Sequence, residues 1–303
     1  MLILGAKGML GRQLGEVFKD WDPVCWDKEE VDITDEKQVR EKITALRQAQ
    51  GKRAQSGLDV IINAAAYTDV DGAEVNREAA FAVNELGVRN LARVAKELGI
   101  RLVHYSTDYV FFGDKKDGYA EDDPPGPPVN VYGESKLAGE RALAEIAPEF
   151  FLLRTAWLYG PSCAPASARG YGGRSKATAG KQGGKNFVDT MLRLAKEKDS
   201  LSVVDDQWGS PTFTKDVAVA TREIITGEYQ PGVYHTVNEG VVNWYEFARK
   251  IFELAGTDIA VKPITLAAYP RPAARPKYSV IKNTRGPKLR PWPEALKDYL
   301  GTT

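Results

Sequence analysis

Tyr132 and Lys136 are the residues whose types and spacing point most directly to chemistry. Four positions apart on a helix, they share a face about one turn from each other. A free tyrosine keeps its proton until about pH 10. A nearby ammonium favours the phenolate and is expected to draw that value down toward neutrality. Such a pair passes a proton to or from a carbonyl or alcohol oxygen. The same spacing also arises on ordinary exposed helix faces, so the pair gains meaning from what surrounds it.

Ser106, Thr107 and Asp108 follow an apolar run, Leu102–Tyr105, that reads as a strand. Thr107 can hydrogen-bond a substrate oxygen beside Tyr132. With Lys136 they form a set suited to carbonyl reduction. Two hydroxyls closing a strand end are the plainer reading. Hydride must come from a cofactor, because no side chain supplies it. A place for one is written at the start of the chain, where Gly5-Ala-Lys-Gly8-Met-Leu-Gly11 follows the first apolar run. Gly5, Gly8 and Gly11, with Met9 and Leu10 opening a helix, suit a pyrophosphate at a helix N-terminus. The spacing is GxxGxxG rather than the GxGxxG fingerprint.

Asp27 closes the second apolar run and can accept from a ribose hydroxyl, which favours NADH. Lys28 beside it could meet a 2′-phosphate, so NADPH and NADH both stay open. Asp32 and Ile33 lie on a loop that could flank the adenine, with loop capping an equal reading for both aspartates. Ala64, Ala65, Ala66 and Tyr67 follow the third apolar run. Small residues there let a flat cofactor pass close to the backbone, or let a helix pack tightly on a sheet.

These residues need a scaffold that brings them to one edge. Short runs at Leu2–Leu4, Val24–Trp26, Val60–Ile62, Leu102–Tyr105 and Phe151–Leu153 read as strands. Helical periodicity marks Leu10–Phe18, Glu36–Arg47, Glu78–Leu98 and Val131–Ile146 between them. This alternation predicts an α/β fold, a Rossmann-type doubly wound parallel sheet with helices on both faces. Residues 1–157 are expected to form the dinucleotide-binding domain. Residues 158–303 are expected to be mainly a smaller substrate-binding lobe, with segments near 187–204 and 212–237 returning to the first domain. Later helices are expected at Phe187–Glu197, Thr214–Thr226 and Trp244–Ala255, before a proline-rich, loop-like end. Arg47–Gly57 and 161–185 read as insertions. The second carries five basic residues and no acidic one, as a surface loop or a basic flap would.

Lys+Arg and Asp+Glu both number 41 in 303 residues. That balance argues against general nucleic-acid or anionic-membrane binding. No apolar run is long enough to span a membrane, and none at the start resembles a signal peptide. Cys25 and Cys163 have no metal or redox spacing, which suits a reducing cytoplasm. His104 and His235 stand alone in strand-like runs and read as core or edge residues, so no metal site is expected.

The ordered set GAKGMLG, NAAAYTDVDGAE, HYSTDYVF, NVYGESKLAGE, RTAWLYG, NFVDTMLRLAKE and LSVVDDQWGSPT resembles the extended short-chain dehydrogenase/reductases that act on nucleotide sugars. The resemblance spans nearly the whole chain, with gaps at the two insertions. It implies that Tyr132 donates a proton to a C4 keto oxygen, with dTDP-4-dehydro-L-rhamnose as the substrate most similar members reduce. It implies further that Lys136 holds the nicotinamide ribose and tunes Tyr132, and that Thr107 helps bind the keto group beside Asp108. Trp157 matches a tryptophan that packs on the sugar, Asn186 a position facing the nucleotide sugar, and Arg275 a position near the diphosphate. Trp208 stands where members more often have tyrosine. Some members use Mg²⁺ at a dimer contact, but no acidic cluster for it is evident, and a homodimer stays open.

Sister reactions are separable in part. Related 4,6-dehydratases carry Thr-Asp-Glu where this chain reads Thr107-Asp108-Tyr109, and tyrosine is a poor replacement for a glutamate base. A 4-epimerase uses the same Tyr/Lys pair and stays open. So does a non-catalytic regulatory subunit of a methionine adenosyltransferase, which shares the pattern.

Overall fold

The structure, a computed structural model, describes residues 1–51, 59–147, 149–161 and 186–301. Most of the two expected insertions, Cys163 included, lies outside the described residues. The first half alternates strands and helices: β1 (Leu2–Leu4), α1 (Met9–Val17), β2 (Val24–Trp26), α2 (Glu36–Gly51), β3 (Val60–Asn63), α3 (Val70–Val75), α4 (Arg77–Phe81), α5 (Gly87–Leu98), β4 (Arg101–Thr107), α6 (Val131–Ile146) and β5 (Phe150–Thr155). The second half holds β6 (Leu158–Tyr159), α7 (Phe187–Ala195), β7 (Ser200–Val204), β8 (Trp208–Gly209), β9 (Thr212–Phe213), α8 (Thr214–Thr226), β10 (Gly232–His235), β11 (Val242–Asn243), α9 (Trp244–Ala255), β12 (Ala260–Ile264) and α10 (Trp292–Gly301).

Six strands form one parallel sheet in the order β10-β5-β4-β3-β1-β2. Side chains alternate across it, as strand geometry requires. Leu2, Leu4, Ile61, Leu102 and Leu152 pack under α2, α5 and α6 on one face. Ile3, Val60, Ile62, Val103 and Leu153 pack under α1 and α8 on the other. Both faces are covered, so the strands read as continuous apolar runs rather than alternating ones. Each fully buried Leu or Ile contributes about 2 kcal/mol relative to exposure. The chain reverses direction across the sheet between β1 and β3, and open sheets bind ligands outside such a switch point.

The segment 212–237 supplies α8 and β10 to this sheet. The segment 187–204 does not return to it, contrary to expectation. β7 pairs in parallel with β12, and α7 packs beside them around Tyr159, Phe213, Phe247, Trp292 and Tyr299. The reason lies in its facing residues: Val188, Met191, Leu201 and Val203 match the aromatic face of α9 and α10, a second core of its own. The helix α10 was hidden by its prolines. Pro293 falls in its first turn, where a missing N–H removes no helical bond.

Candidate active site

The glycine loop joins β1 to α1 under tight steric limits. Gly5 has φ +72°, and a Cβ there would lie 2.6 Å from the Ala65 backbone nitrogen. A Cβ on Gly11 would lie 2.2 Å from the Gly5 carbonyl oxygen. These two glycines let the β1 and β3 turns touch and let α1 begin directly at the sheet edge. Gly8 is the N-cap of α1, with no side-chain cap and no acidic residue in the first turn. The first N–H groups of that helix are left to an anion.

A cleft of about 650 Å³ opens above this loop. Gly5, Gly8 and Met9 line one part, Asp27, Asp32 and Ile33 another, and Ala64 to Tyr67 the far side. Leu10 and Gly11 lie behind it: Leu10 packs into the core below α1, and Gly11 is buried. The Asp27 carboxylate accepts from the backbone N–H of Lys7 and of Lys28, both at 2.9 Å. Asp32 caps its own loop through the Thr34 N–H and hydroxyl, and these bonds hold its carboxyl below the usual range. The space, the bare helix end and the small-residue wall suit a dinucleotide.

Asn84 ties this wall to the next element. It lies in a wide turn, Ala82–Leu86, inserted between α4 and α5. Such turns re-aim side chains within a helix. Its amide accepts from the Tyr67 N–H at 2.9 Å, and donates to the Tyr67 carbonyl at 3.0 Å and the Ser135 hydroxyl at 2.9 Å. The cofactor-side loop and α6 therefore share one buried side chain.

Tyr132 lies in the first turn of α6. Asn130 caps that helix, accepting from the Gly133 N–H at 2.8 Å and donating to the Ala274 carbonyl at 2.8 Å. Thr107 ends β4 and adjoins the Tyr132 phenol. Its own proton goes to Asp108 at 2.8 Å. Tyr109 stands edge-on to Tyr132, with ring centres 5.9 Å apart. Burial pushes the Asp108 carboxyl up to about 6, with hydrogen bonds from Ser279 and Thr107 opposing.

The expected lowering of the Tyr132 pKa by Lys136 is not what the site produces. Burial pushes the phenol above its ordinary value; Thr107 opposes this and the Asp108 charge adds to it. Lys136 is itself buried, and its Nζ donates to the Tyr105 carbonyl at 2.6 Å and lies 3.3 Å from His104 Nε2. Burial lowers its pKa to about 8, against the raising effect of Glu140. Both residues lie on α6 as expected, but Lys136 turns to His104 and the Tyr105 carbonyl and is not among the groups that shift Tyr132.

Three expected substrate contacts have other partners here. Trp157 has φ +46° and stacks on Trp244 at 3.5 Å, near-parallel at 8°. Asn186 caps α7 and donates to the Gly160 carbonyl at 2.9 Å, with Met9 of the glycine loop also against it. Arg275 pairs with Asp71 of α3 at 3.0 Å, and Arg271 pairs with the same carboxylate. Ser279, Trp244 and Asn84 were missed as parts of this region, while Tyr109 was read only as standing where a dehydratase has glutamate and His104 only as a core or edge residue. Of the missed residues only Trp244 carried a signal, its aromatic ring; Ser279 and Asn84 are buried polar residues. Among the described residues no group of three or more His, Cys, Asp or Glu side chains is placed to hold a metal, and no helix is long and apolar enough to cross a membrane.

The sheet order and the tyrosine–lysine helix at its carboxyl edge define a class together, the extended short-chain dehydrogenase/reductases. The sequence model of the family described as RmlD substrate binding domain matches residues 1–303. The chain belongs to that family. It is 40% identical to dTDP-4-dehydrorhamnose reductase of Mycolicibacterium smegmatis, over 98% of this chain and 84% of that one. It is 35% identical to the spore coat polysaccharide biosynthesis protein SpsK of Bacillus subtilis, over 99% and 96%. A crystal structure of dTDP-4-dehydrorhamnose reductase from Bacillus anthracis, in complex with NADP, superposes with a TM-score of 0.85. The two share 38% identity over 100% of this chain and 98% of that one.

Proposed function

We propose that this protein reduces the C4 keto group of dTDP-4-dehydro-L-rhamnose to the alcohol of dTDP-L-rhamnose, using NADPH or NADH. The observation that carries this reading is the Tyr132–Thr107 pair at the end of β4, one element away from the dinucleotide-shaped cleft. The cofactor supplies the hydride when bound. Gly5, Gly8 and Met9 would hold its pyrophosphate, Asp27 its adenosine ribose, and Ala64 to Tyr67 its flat middle.

The rest of the reaction belongs to side chains. Thr107 gives its proton to Asp108 and adjoins the Tyr132 phenol, at the end of β4 where a keto oxygen would lie. Tyr132 donates that proton to the C4 oxygen as the alcohol forms. Its raised pKa keeps the proton in place until then. The Lys136 ammonium steadies the phenolate left behind. Tyr109 is half-buried, and its own pKa is pushed up, by desolvation first and by the Asp108 charge next. It stays a neutral phenol, which supports reduction over the dehydratase base chemistry. We place the reaction in the cytoplasm.

The test is NAD(P)H oxidation with dTDP-4-dehydro-L-rhamnose. Stoichiometric consumption with formation of dTDP-L-rhamnose is expected. Epimerised sugar without net oxidation would establish the epimerase reading instead. Absence of turnover, with co-purification of a methionine adenosyltransferase, would establish the regulatory one.

A further inference from the structure

Trp157 is held in a way that leaves it a donor rather than a platform. Its φ of +46° lies in the left-handed region that bulky residues avoid, and such outliers persist only where the surroundings hold them. Here the chain is tied on both sides. Thr155 pairs with Thr107 across β5 and β4, and the Trp157 carbonyl accepts from the Thr212 N–H at 3.2 Å. The indole therefore leaves the sheet edge just past Thr155, on the strand beside the one that ends in Thr107.

One face of that indole lies on Trp244, 3.5 Å away and 8° from parallel. The other face lies on Gly209. A Cβ on Gly209 would lie 2.4 Å from Trp157 Cε2 and 2.7 Å from both Cζ2 and Nε1. An atom in the ring plane at that distance from Cε2 would come closer to those two neighbours than to Cε2 itself. The glycine therefore stands over the ring and not at its rim. These are the atoms nearest to that Cβ, and in so close a stack the Trp244 ring would be nearer still had it shared the face. Both jaws come from one ribbon: Gly209 is in β8, which pairs with β11, and Trp244 follows β11 directly. Trp244 is backed in turn by Phe187, with ring centres 4.5 Å apart.

A sugar ring stacks on an aromatic face, and neither face of Trp157 is left whole for it. What remains is the rim, with the Nε1–H, which donates and accepts nothing. Trp157 is half-buried, and its Nε1–H reaches no acceptor and is not walled in among the described residues. A covered indole N–H usually has a partner. We propose that Trp157 binds the substrate through this N–H, as a hydrogen-bond donor to an oxygen of the sugar, and that Trp244 and Gly209 are positioning residues that aim it. The inference rests on the reductase reading for the identity of the sugar. It replaces the packing role expected of this tryptophan with a directional one. A ring free to rock would stack on many sugars. A clamped one selects for an acceptor at one place, on the same sheet edge as Thr107.

Trp157→Phe separates the two roles, because phenylalanine keeps an aromatic face and lacks the N–H. Its KM for dTDP-4-dehydro-L-rhamnose is expected to rise about fivefold or more, with kcat within about twofold of wild type. An unchanged KM would overturn the donor role. The second readout is NMR of protein labelled with a nitrogen isotope at the tryptophan indoles, the Trp157 signal being assigned by its loss in Trp157→Phe. That N–H signal is expected to move downfield as dTDP-L-rhamnose saturates the site. A signal that stays put while others shift would overturn the proposal, whatever the KM of the variant. Gly209→Ala pushes the ring from its place, so the Trp157 signal of the free protein is expected to move and KM to rise. Trp244→Phe keeps a stacking ring and is expected to stay near wild type in both. A Trp157 signal unmoved by Gly209→Ala would refute the clamp. Wild-type NAD(P)H oxidation judges the reductase reading separately: turnover with an unmoved Trp157 signal sinks this inference alone. Absence of turnover sinks the reductase reading, and the clamp is still decided in the free protein.

Discussion

Thr107 has one proton to give, and Asp108 takes it. The same hydroxyl adjoins the Tyr132 phenol and works against the rise that burial causes there. Tyr132→Phe removes the transferable proton and little else. Its kcat should fall by about three orders of magnitude or more while cofactor affinity, measured by fluorescence titration, stays within a few-fold. Near-normal turnover would sink the proton-donor role. Asp108 makes a separate prediction. Its folded pKa is raised from 3.8 to about 6, chiefly by burial. The folded state thus binds the proton more tightly than the unfolded state. Stability is therefore lost as pH rises from about 4 to 6, and the loss persists above that range. Asp108→Asn should stabilise the protein at pH 7.5 by about 1–3 kcal/mol and have little effect at pH 4, measured by thermal melting. Equal effects at both pH values would refute the assignment. Residue types and spacing made Tyr132, Lys136 and Thr107 legible in the sequence. The signs of their pKa shifts were not, because desolvation depends on what covers a residue, and the covering elements come from distant sequence.

At the scale of elements, the glycine loop is where backbone contact decides function. A methyl group on Gly11 would collide with the Gly5 carbonyl, a backbone atom that cannot swing aside. Gly11→Ala should lose cofactor affinity by more than about tenfold and cost about 2–4 kcal/mol. A melt and a cofactor titration within error of wild type would contradict this close approach. The six-residue core of β4 and the span of α6 were readable because buried parallel strands and amphipathic helices leave strong patterns. The path of α7 and β7 was not, since an apolar helix face does not name its partner. The small helix α3 and the wide turn at Asn84 escaped notice for a related reason. They are short, and their meaning is the placement of one side chain each, Asp71 and Asn84.

At the scale of the molecule, Asp71 clasps the C-terminal lobe to the first domain. Arg271 and Arg275 both reach its carboxylate, which also accepts from the Ala273 N–H at 3.2 Å. Arg275 is mostly buried. Asp71→Ala leaves that guanidinium without its partner and should cost about 1–3 kcal/mol, read as a lower melting temperature. An unchanged melt would show that the clasp adds nothing to stability. The lobes are joined by more than a clasp. The chain leaves the first domain after β5, builds part of the second core, returns as α8 and β10, then leaves again for α9, β12 and α10. The sequence pattern changes near residue 157, after β5, where the chain passes from the large sheet to the second core. The return was readable in part, through the expected segment at 212–237. This interleaving bears on how such proteins can diversify. A recombination event at residue 157 would hand the large sheet an edge strand and a covering helix from another lineage. Neither lobe is one contiguous segment, so neither travels as a cassette that leaves the other's core whole.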